Sequence, residues 1–247
     1  MDFSVDINCD MGEGVGNESL IMPFISSANI ACGYHAGDEH IIQQTVELAL
    51  KYNVAVGAHP SFPDKENFGR TNMNFPAEEV CDMVKRQIEL LGAIAKKNNC
   101  SLHHVKPHGA LYNMASKDEM IAAAICKAIK ETDPSIVLYA QSGSTLISVA
   151  ETRNIRTCSE VFADRTYQPD GSLTPRTAPN AVLQDDKEVT AQVLQMVKEN
   201  TVTTVTGERI PVKAGSICIH GDGEHAVEFA KLIHELLHSN NISIRTA

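Results

Sequence analysis

An α/β barrel of about seven parallel strands is the fold this sequence predicts, and three observations predict it. Short β-rich runs alternate with amphipathic helical patterns from end to end, with no low-complexity linker between them, as expected for a parallel sheet joined by crossover helices. Polar residues collect at the C-terminal ends of the strand candidates, the rim where barrel enzymes carry their chemistry. The competing open, doubly wound sheet is expected to bring a Gly-rich phosphate turn after its first strand. Here that turn, Asp10-Met11-Gly12-Glu13-Gly14-Val15-Gly16, sets two acids among its glycines, and no G-x-x-x-x-G-K-[ST] motif occurs. At 247 residues the chain has the length of one such barrel. Residues 1–247 are therefore expected to form a single (β/α)-barrel domain.

The elements follow in order. The first strand candidate, 3–9, alternates strictly: Phe3, Val5, Ile7 and Cys9 are apolar, whereas Ser4, Asp6, Asn8 and Asp10 are polar. Side chains on a strand alternate faces, so the apolar set belongs under the outer helices and the polar set points into the barrel. Further strands are expected at 28–34, 54–58, 102–106, 136–140, 155–161 and 216–220, with a weak eighth at 242–245. Helical patterns lie near 39–52, 77–98, 117–131, 144–152, 186–199 and 224–238. The second of these carries Val80, Val84, Ile88, Leu91 and Ala95 as a core-facing stripe, and Ser116 with Glu119 forms a capping box before the third. The long irregular stretch 164–185, with three prolines and Gly171, reads as a lid or binding loop.

Composition narrows the function. Lys plus Arg number 21 against 31 Asp plus Glu, a net charge of -10, which disfavours nucleic acid and anionic membrane as partners. Aromatic residues are 5% and Trp is absent, a poor supply for stacking sugars or bases. Seven cysteines, widely spaced and without a C-x-x-C pair, read as reduced thiols of a cytoplasmic protein. No apolar run approaches a membrane span and the first residues carry no leader-like pattern, so neither a span nor a signal peptide is expected.

Applied to every strand, the parity of the first one sends Asn29, Ala31, Gly33 and His35 inward from the second. It sends Gly57 and His59 inward from the third, His104, Lys106 and His108 from the fourth, Cys158 and Glu160 from the sixth, and Cys218 and His220 from the last. Cys9 and Cys32 turn outward as core fillers. Polar groups at so many strand ends cost stability that a purely structural role does not repay. Asp10, His35 and His59 form a carboxylate-plus-imidazole set suited to a divalent metal, or imidazoles that merely hydrogen-bond carboxylates. Lys106 is suited to polarising a carbonyl or a phosphoryl oxygen, or to an ion pair with Glu160 or Asp10. Glu160 is a candidate general base if burial raises its pKa, and Asp10, Lys106, Glu160 and His220 are the catalytic candidates. Asn8, His108, Arg165 and Tyr167 are candidates for holding substrate, Arg165 and Tyr167 as a grip on a carboxylate. His234-Glu235-Leu236-Leu237-His238 matches H-E-x-x-H. It is set aside, because Ala226, Ala230, Ile233 and Leu237 build the apolar face of that helix and only nine residues remain to supply a third ligand.

Six runs, spread in order over residues 6–222, carry a resemblance. They are Asp6-Ile7-Asn8-Cys9-Asp10-Met11-Gly12-Glu13, Ala31-Cys32-Gly33-Tyr34-His35-Ala36-Gly37-Asp38, Gly57-Ala58-His59-Pro60-Ser61-Phe62-Pro63-Asp64, Lys106-Pro107-His108-Gly109-Ala110-Leu111-Tyr112-Asn113, Glu160-Val161-Phe162-Ala163-Asp164-Arg165-Thr166-Tyr167 and Ile219-His220-Gly221-Asp222. Together they resemble the LamB/YcsF family. The resemblance implies an irregular seven-stranded barrel related to the glycoside hydrolase/deacetylase group. It implies cleavage of 5-oxo-L-proline to L-glutamate coupled to hydrolysis of ATP with Mg, in a complex with two further subunits that resemble allophanate hydrolase halves. A metal-dependent deacetylase or amidohydrolase acting without ATP, and a non-catalytic substrate-binding subunit, are the alternatives.

Overall fold

The computed structural model describes residues 3–221, 223 and 226–247. Asp222 of the last matching run and the first two residues of the 224–238 helix pattern lie outside the described residues.

The strands are β1 (Phe3–Met11), β2 (Ser27–Ala31), β3 (Ala55–His59), β4 (His104–Val105), β5 (Val137–Gln141), β6 (Thr157–Phe162), β7 (Thr201–Thr203), β8 (Arg209–Pro211), β9 (Ser216–Ile219) and β10 (Ile242–Ile244). The helices are α1 (Glu18–Ile21), α2 (Glu39–Lys51), α3 (Ala77–Lys97), α4 (Gly109–Ala115), α5 (Glu119–Thr132), α6 (Thr145–Thr152), α7 (Asp186–Glu199) and α8 (Ala226–Ser239). β1, β2, β3, β4, β5, β6 and β9 pair in that order, all parallel, and β9 returns to β1 to close the ring. The expected barrel of about seven strands is thus present. β10, the weak eighth, stays outside the ring and pairs with Phe3–Val5 at the start of β1.

The apolar layer lies between sheet and helices. Val5, Ile7 and Cys9 of β1 are buried there, and Val80, Val84, Ile88, Leu91 and Ala95 of α3 form the stripe that covers the neighbouring strands. Each Ile, Leu or Val so buried contributes roughly 1.5–3 kcal/mol relative to exposure. Cys9 and Cys32 both sit in this layer, and burial pushes the Cys32 thiol up to about 12.

Several boundaries differ from expectation for local reasons. β2 stops at Ala31 because Gly33 and Gly37 turn the chain through positive φ. β4 is only two residues long, since Pro107 has no N–H to extend the ladder. The capping box at Ser116 is not formed. Asp118 caps α5 by accepting from Met120 and Ile121 N–H, while the Ser116 hydroxyl donates to the Tyr112 carbonyl at the end of α4. α1, α4 and the antiparallel pair β7–β8 have no counterpart among the expected elements.

Candidate active site at the barrel mouth

The inner face of β1 builds the site from the floor upward. Asp6 is buried and accepts hydrogen bonds from the hydroxyls of Ser26, Ser27 and Ser216. Burial still outweighs these donors and raises its carboxyl pKa. One layer up, Asn8 donates to Ser216 Oγ at 2.7 Å, and Asn29 donates to Asn8 Oδ1 at 2.7 Å and to Asp10 Oδ1 at 2.8 Å. His104 Nε2 donates to Asn29 Oδ1 at 2.8 Å, which fixes the Asn29 amide. The His104 ring occupies the space beside Gly57, where an added Cβ would stand 2.1 Å from Nε2. Gly57 is therefore the residue that admits this imidazole into the barrel.

Lys106 is buried at the centre. Its Nζ lies 2.8 Å from Glu160 Oε1, 3.0 Å from Asp10 Oδ1, 3.0 Å from Asn8 Oδ1 and 3.1 Å from Cys218 Sγ. Burial opposes the ammonium, but Asp10, Cys218 and Glu160 outweigh it and hold its pKa well above the ordinary lysine value. Burial likewise opposes the Asp10 carboxylate, but His59 and Lys106 hold its carboxyl well below the usual range. Glu160 gives its second oxygen to the Tyr112 hydroxyl, which donates at 2.6 Å. Burial and then Glu160 push the Tyr112 pKa well up.

Three imidazoles flank Asp10, and each spends one nitrogen outward. His59 Nδ1 donates to the Lys106 carbonyl at 2.7 Å and His108 Nε2 to the Phe68 carbonyl at 2.9 Å. The Ser61 hydroxyl donates to the Phe62 carbonyl, so it accepts from His35 Nδ1 at 2.9 Å. The remaining nitrogens face inward: His59 Nε2 and His108 Nδ1 are 3.0 Å apart, and His35 Nε2 is 3.1 Å from Glu13 Oε1. Burial, reinforced by neighbouring imidazoles, drives the His35 pKa far down and brings His108 to about 3, so both rings are neutral. Among the described residues, Glu13, His35, His59 and His108 bring four ligand atoms within 4.8 Å of one another. Inward lone pairs held by outer carbonyls and a hydroxyl fit a divalent transition metal in donor type and orientation. Three of the six separations among these atoms, 3.0, 3.1 and 3.6 Å, lie near the roughly 3.4 Å edge of a tetrahedral site with bonds of about 2.1 Å. Gly69 lets this cluster close, since a Cβ there would stand 2.9 Å from His35 Cβ.

The expected metal set of Asp10, His35 and His59 is thus drawn differently. Asp10 Oδ2 is 3.4 Å from His59 Nε2, but its other oxygen is committed to Lys106 and Asn29, and Glu13 and His108 complete the cluster instead. Sequence reasoning passed over Glu13, which it read only as an obstacle to phosphate. Its place between glycines, just past the end of an inward-facing strand, was the available signal.

Asp10, His59, Lys106, His108, Arg165 and His220 line one cavity of about 670 Å³ at the C-terminal end of the barrel. Asn8 and Glu160 stand behind Lys106. On the wall opposite the imidazoles, Asp164 holds His220 Nδ1 at 3.3 Å and the Phe162 ring stacks on the imidazole. Burial opposes the Asp164 carboxylate, but His220 keeps its pKa lowered. Asp164 also escaped sequence reasoning, because it lies in the irregular stretch after β6. Arg165 is buried with its guanidinium given to the Ala181 and Thr174 carbonyls, which folds the 164–185 loop onto the rim. Tyr167 is not on the cavity wall: it is buried in the core and its hydroxyl accepts from Phe162 N–H. His234 and His238 lie on α8, with His234 packed against Phe24, remote from the cavity.

The LamB/YcsF family profile matches residues 5–247. The chain belongs to the LamB/YcsF family. It is 52% identical over 246 residues to a Tolumonas auensis protein named as a subunit of 5-oxoprolinase, covering 98% of both chains. The solved structure of a lactam utilization protein from Thermus thermophilus superposes with a TM-score of 0.93 at 39% identity, covering 99% of this chain and all of that one. At the level of fold alone, a GH113 beta-1,4-mannanase covers 97% of this chain and 100% of its own (TM-score 0.53, 12% identity), and a T48 deacetylase covers 99% and 88% (TM-score 0.51, 12% identity). The family's barrel thus has the architecture of the glycoside hydrolase/deacetylase group.

Proposed function

We propose that this chain opens the lactam ring of 5-oxo-L-proline to give L-glutamate, coupled to hydrolysis of ATP with Mg and together with partner subunits that resemble allophanate hydrolase halves. The observation that carries the reading is the convergence of Asp10, Lys106 and the Glu13–imidazole cluster on one cavity, in a chain whose relatives at 52% identity are named as a subunit of 5-oxoprolinase. A five-membered lactam is an unreactive amide, and its ring closure competes with hydrolysis, so opening needs an energy input. Transfer of the γ-phosphoryl group of ATP to the lactam oxygen, with release of ADP, makes the ring carbon electrophilic; water adds to it, the ring C–N bond breaks to free the amine, and a second water releases phosphate from the acyl phosphate to leave glutamate.

In this reading the ammonium of Lys106 faces the oxygen that gains negative charge, held there by Asp10, Asn8 and Glu160. Asp10 Oδ2 and His220 are the groups placed to take the proton of the attacking water. Glu160 holds Lys106 rather than touching substrate, because both its oxygens are engaged. His108 and Arg165 line the pocket in which the acid sits, Asn8 supports it from below, and Tyr167 acts through the loop it anchors. Glu13, His35, His59 and His108 would hold a divalent metal, which supplies Lewis-acid polarisation when bound. The seven cysteines, none bonded to another, fit a reducing compartment, and we assign the chain to the cytoplasm, folded as one domain over residues 1–247.

The test is glutamate release from 5-oxoproline by the chain with partner subunits, with and without ATP. With unchanged circular-dichroism spectra, Asp10→Asn is expected to lose about 10²-fold or more in kcat as the proton acceptor, and Glu160→Gln to lower kcat through the weakened hold on Lys106. Near-native kcat in both variants would sink the roles. Turnover of an acetylated or cyclic amide without ATP, lost on chelation, favours the deacetylase or amidohydrolase reading that the Glu13–imidazole cluster also supports.

A further inference from the structure

Polar groups fill the barrel interior from Asp6 to Asp10, but one wall of the mouth is apolar. Tyr112, Phe162 and Cys218 form a buried group of their own, apart from the main core, and Leu173 of the 164–185 loop packs against both. The Tyr112 and Phe162 rings meet edge to face with 6.1 Å between centroids, and Phe162 stacks in turn on His220. Tyr112, Phe162 and Leu173 all line the cavity. Small-molecule pockets pair such apolar walls with a few polar groups that fix orientation.

The wall starts where the Lys106 ammonium ends. Cys218 Sγ is 3.1 Å from Lys106 Nζ, and the Tyr112 hydroxyl holds Glu160, whose other oxygen is 2.8 Å from the same nitrogen. Arg165 stands at its edge, with the guanidinium bonded to the carbonyl of Thr174, the residue after Leu173. Arg165 is buried on the cavity wall, and among the described residues no acid lies within ion-pair distance of it. A buried charge calls for a partner, and the cavity is where an anion can reach this one. The wall is also held in place. The Tyr167 hydroxyl accepts from Phe162 N–H and the Tyr167 backbone pairs with that of Leu173, so one buried residue sets both. Gln141 pins the turn leading into Leu173 by donating to the Gly171 carbonyl at 2.7 Å.

We infer that Tyr112, Phe162 and Leu173 form the subsite for the ring carbons of the substrate, and that Leu173 sets the ring size the chain accepts. The inference rests on the lactam reading above and deepens it. With the carbonyl oxygen at Lys106 and the carboxylate at Arg165, the ring has two edges between its anchors, the N–H and the pair of methylenes. Only the methylene edge matches this wall, and placing it there turns the nitrogen toward the polar groups of the pocket. The substrate class is then a small cyclic amide with a carboxylate beside the nitrogen and an unsubstituted apolar edge. Leu173 is the adjustable member, because Tyr112 is tied to Glu160 and Phe162 to His220, whereas Leu173 contributes only hydrocarbon from a loop.

The test is turnover, by the chain with partner subunits and ATP, of 5-oxo-L-proline and of its homologue with one more ring methylene, each followed as release of the amino dicarboxylate. Leu173→Ala and the milder Leu173→Val are compared with Leu48→Ala, a partly buried leucine of α2. One methylene in an apolar pocket is worth roughly 10–200-fold in kcat/KM. The native chain is expected to prefer the smaller ring by a factor in that range, and Leu173→Ala to narrow the ratio by at least about tenfold, through KM more than kcat. Leu173→Val should fall between, and Leu48→Ala should leave the ratio unchanged. A native chain indifferent to ring size, or a ratio that moves no further in the Leu173 variants than in Leu48→Ala, overturns the inference. Binding separates its failure from that of the reaction. Cyclopentanecarboxylate keeps the carboxylate and the ring carbons but has no amide to open, and in calorimetric titration of the complex without ATP it should bind at least about threefold more weakly to Leu173→Ala than to the native chain. A complex that opens the lactam but binds this probe equally in both forms refutes the subsite alone. One that binds it more weakly in Leu173→Ala but opens no lactam refutes the reaction alone.

Discussion

Four groups meet the Lys106 ammonium, which has three protons to give, so the site is held by charge as much as by directed bonds. Two carboxylates and one ammonium buried together repay desolvation only while every partner is present, which is why the layer beneath, Asn8, Asn29 and His104, is fully hydrogen-bonded. His104 makes this testable through pH. Burial first, then His103 and Lys106, hold its pKa well below 6.5. Below about pH 6.5 the unfolded chain therefore takes up a proton that the folded chain refuses, so this contribution to stability is complete above that pH and falls as pH drops, by up to about 1.4 kcal/mol per unit. His104→Gln keeps a donor for Asn29 but cannot titrate. Urea unfolding between pH 7.5 and 5 should show a flatter decline for the variant than for the native chain; parallel curves would refute the assignment. At this scale β1 was legible, because strict alternation set Asp6, Asn8 and Asp10 on the inner face. Glu13 and Asp164 were not, since each lies on irregular backbone past a strand end, where parity no longer predicts direction.

Helix ends follow local chemistry closely. Asn53, Asn99, Asn154, Asn200 and Asn241 each follow a helix and take positive φ, the left-handed stop that asparagine tolerates better than other side chains with a Cβ. Helices read from apolar stripes were placed within two residues at their described ends. α4 was missed because Pro107 and Gly109 read as breakers around a segment of only seven residues, and β7–β8 because three-residue strands leave too little pattern. α8 carries the H-E-x-x-H match, and its buried face is Ala226, Ala230, Ile233 and Leu237. His234→Gln with His238→Gln should cost less than about 1 kcal/mol, mostly through the Phe24 contact, and leave lactam turnover unchanged. A zinc ion held between the two imidazoles in a metal-soaked crystal would contradict this.

For the molecule as a whole, the closed ring of seven and the appended β10 predict a division of labour. Deleting residues 242–247 removes the ladder on Phe3–Val5, the buried Ile242 and the Arg245–Ser4 bond but no strand of the ring. Burial of one Ile is worth roughly 2–3 kcal/mol, so calorimetry should record a Tm lower by about 5–10 °C with unfolding still cooperative. A product with helical signal but no cooperative transition would mean that the ring cannot stand without its eighth strand. The barrel was legible from alternation of elements; the order of closure was not, because nothing local in β1 names β9 as its partner. That partnership sets a timetable in the cell. The floor carboxylate of Asp6 waits for the hydroxyl of Ser216, 210 residues later, and at roughly 5–20 residues per second a ribosome needs about 10–40 s to deliver it. Throughout that interval the nascent chain carries an open sheet edge whose inward side chains are charged and polar, a poor template for stray strands. The residues that form the floor of the finished pocket thus also guard the unfinished one during synthesis.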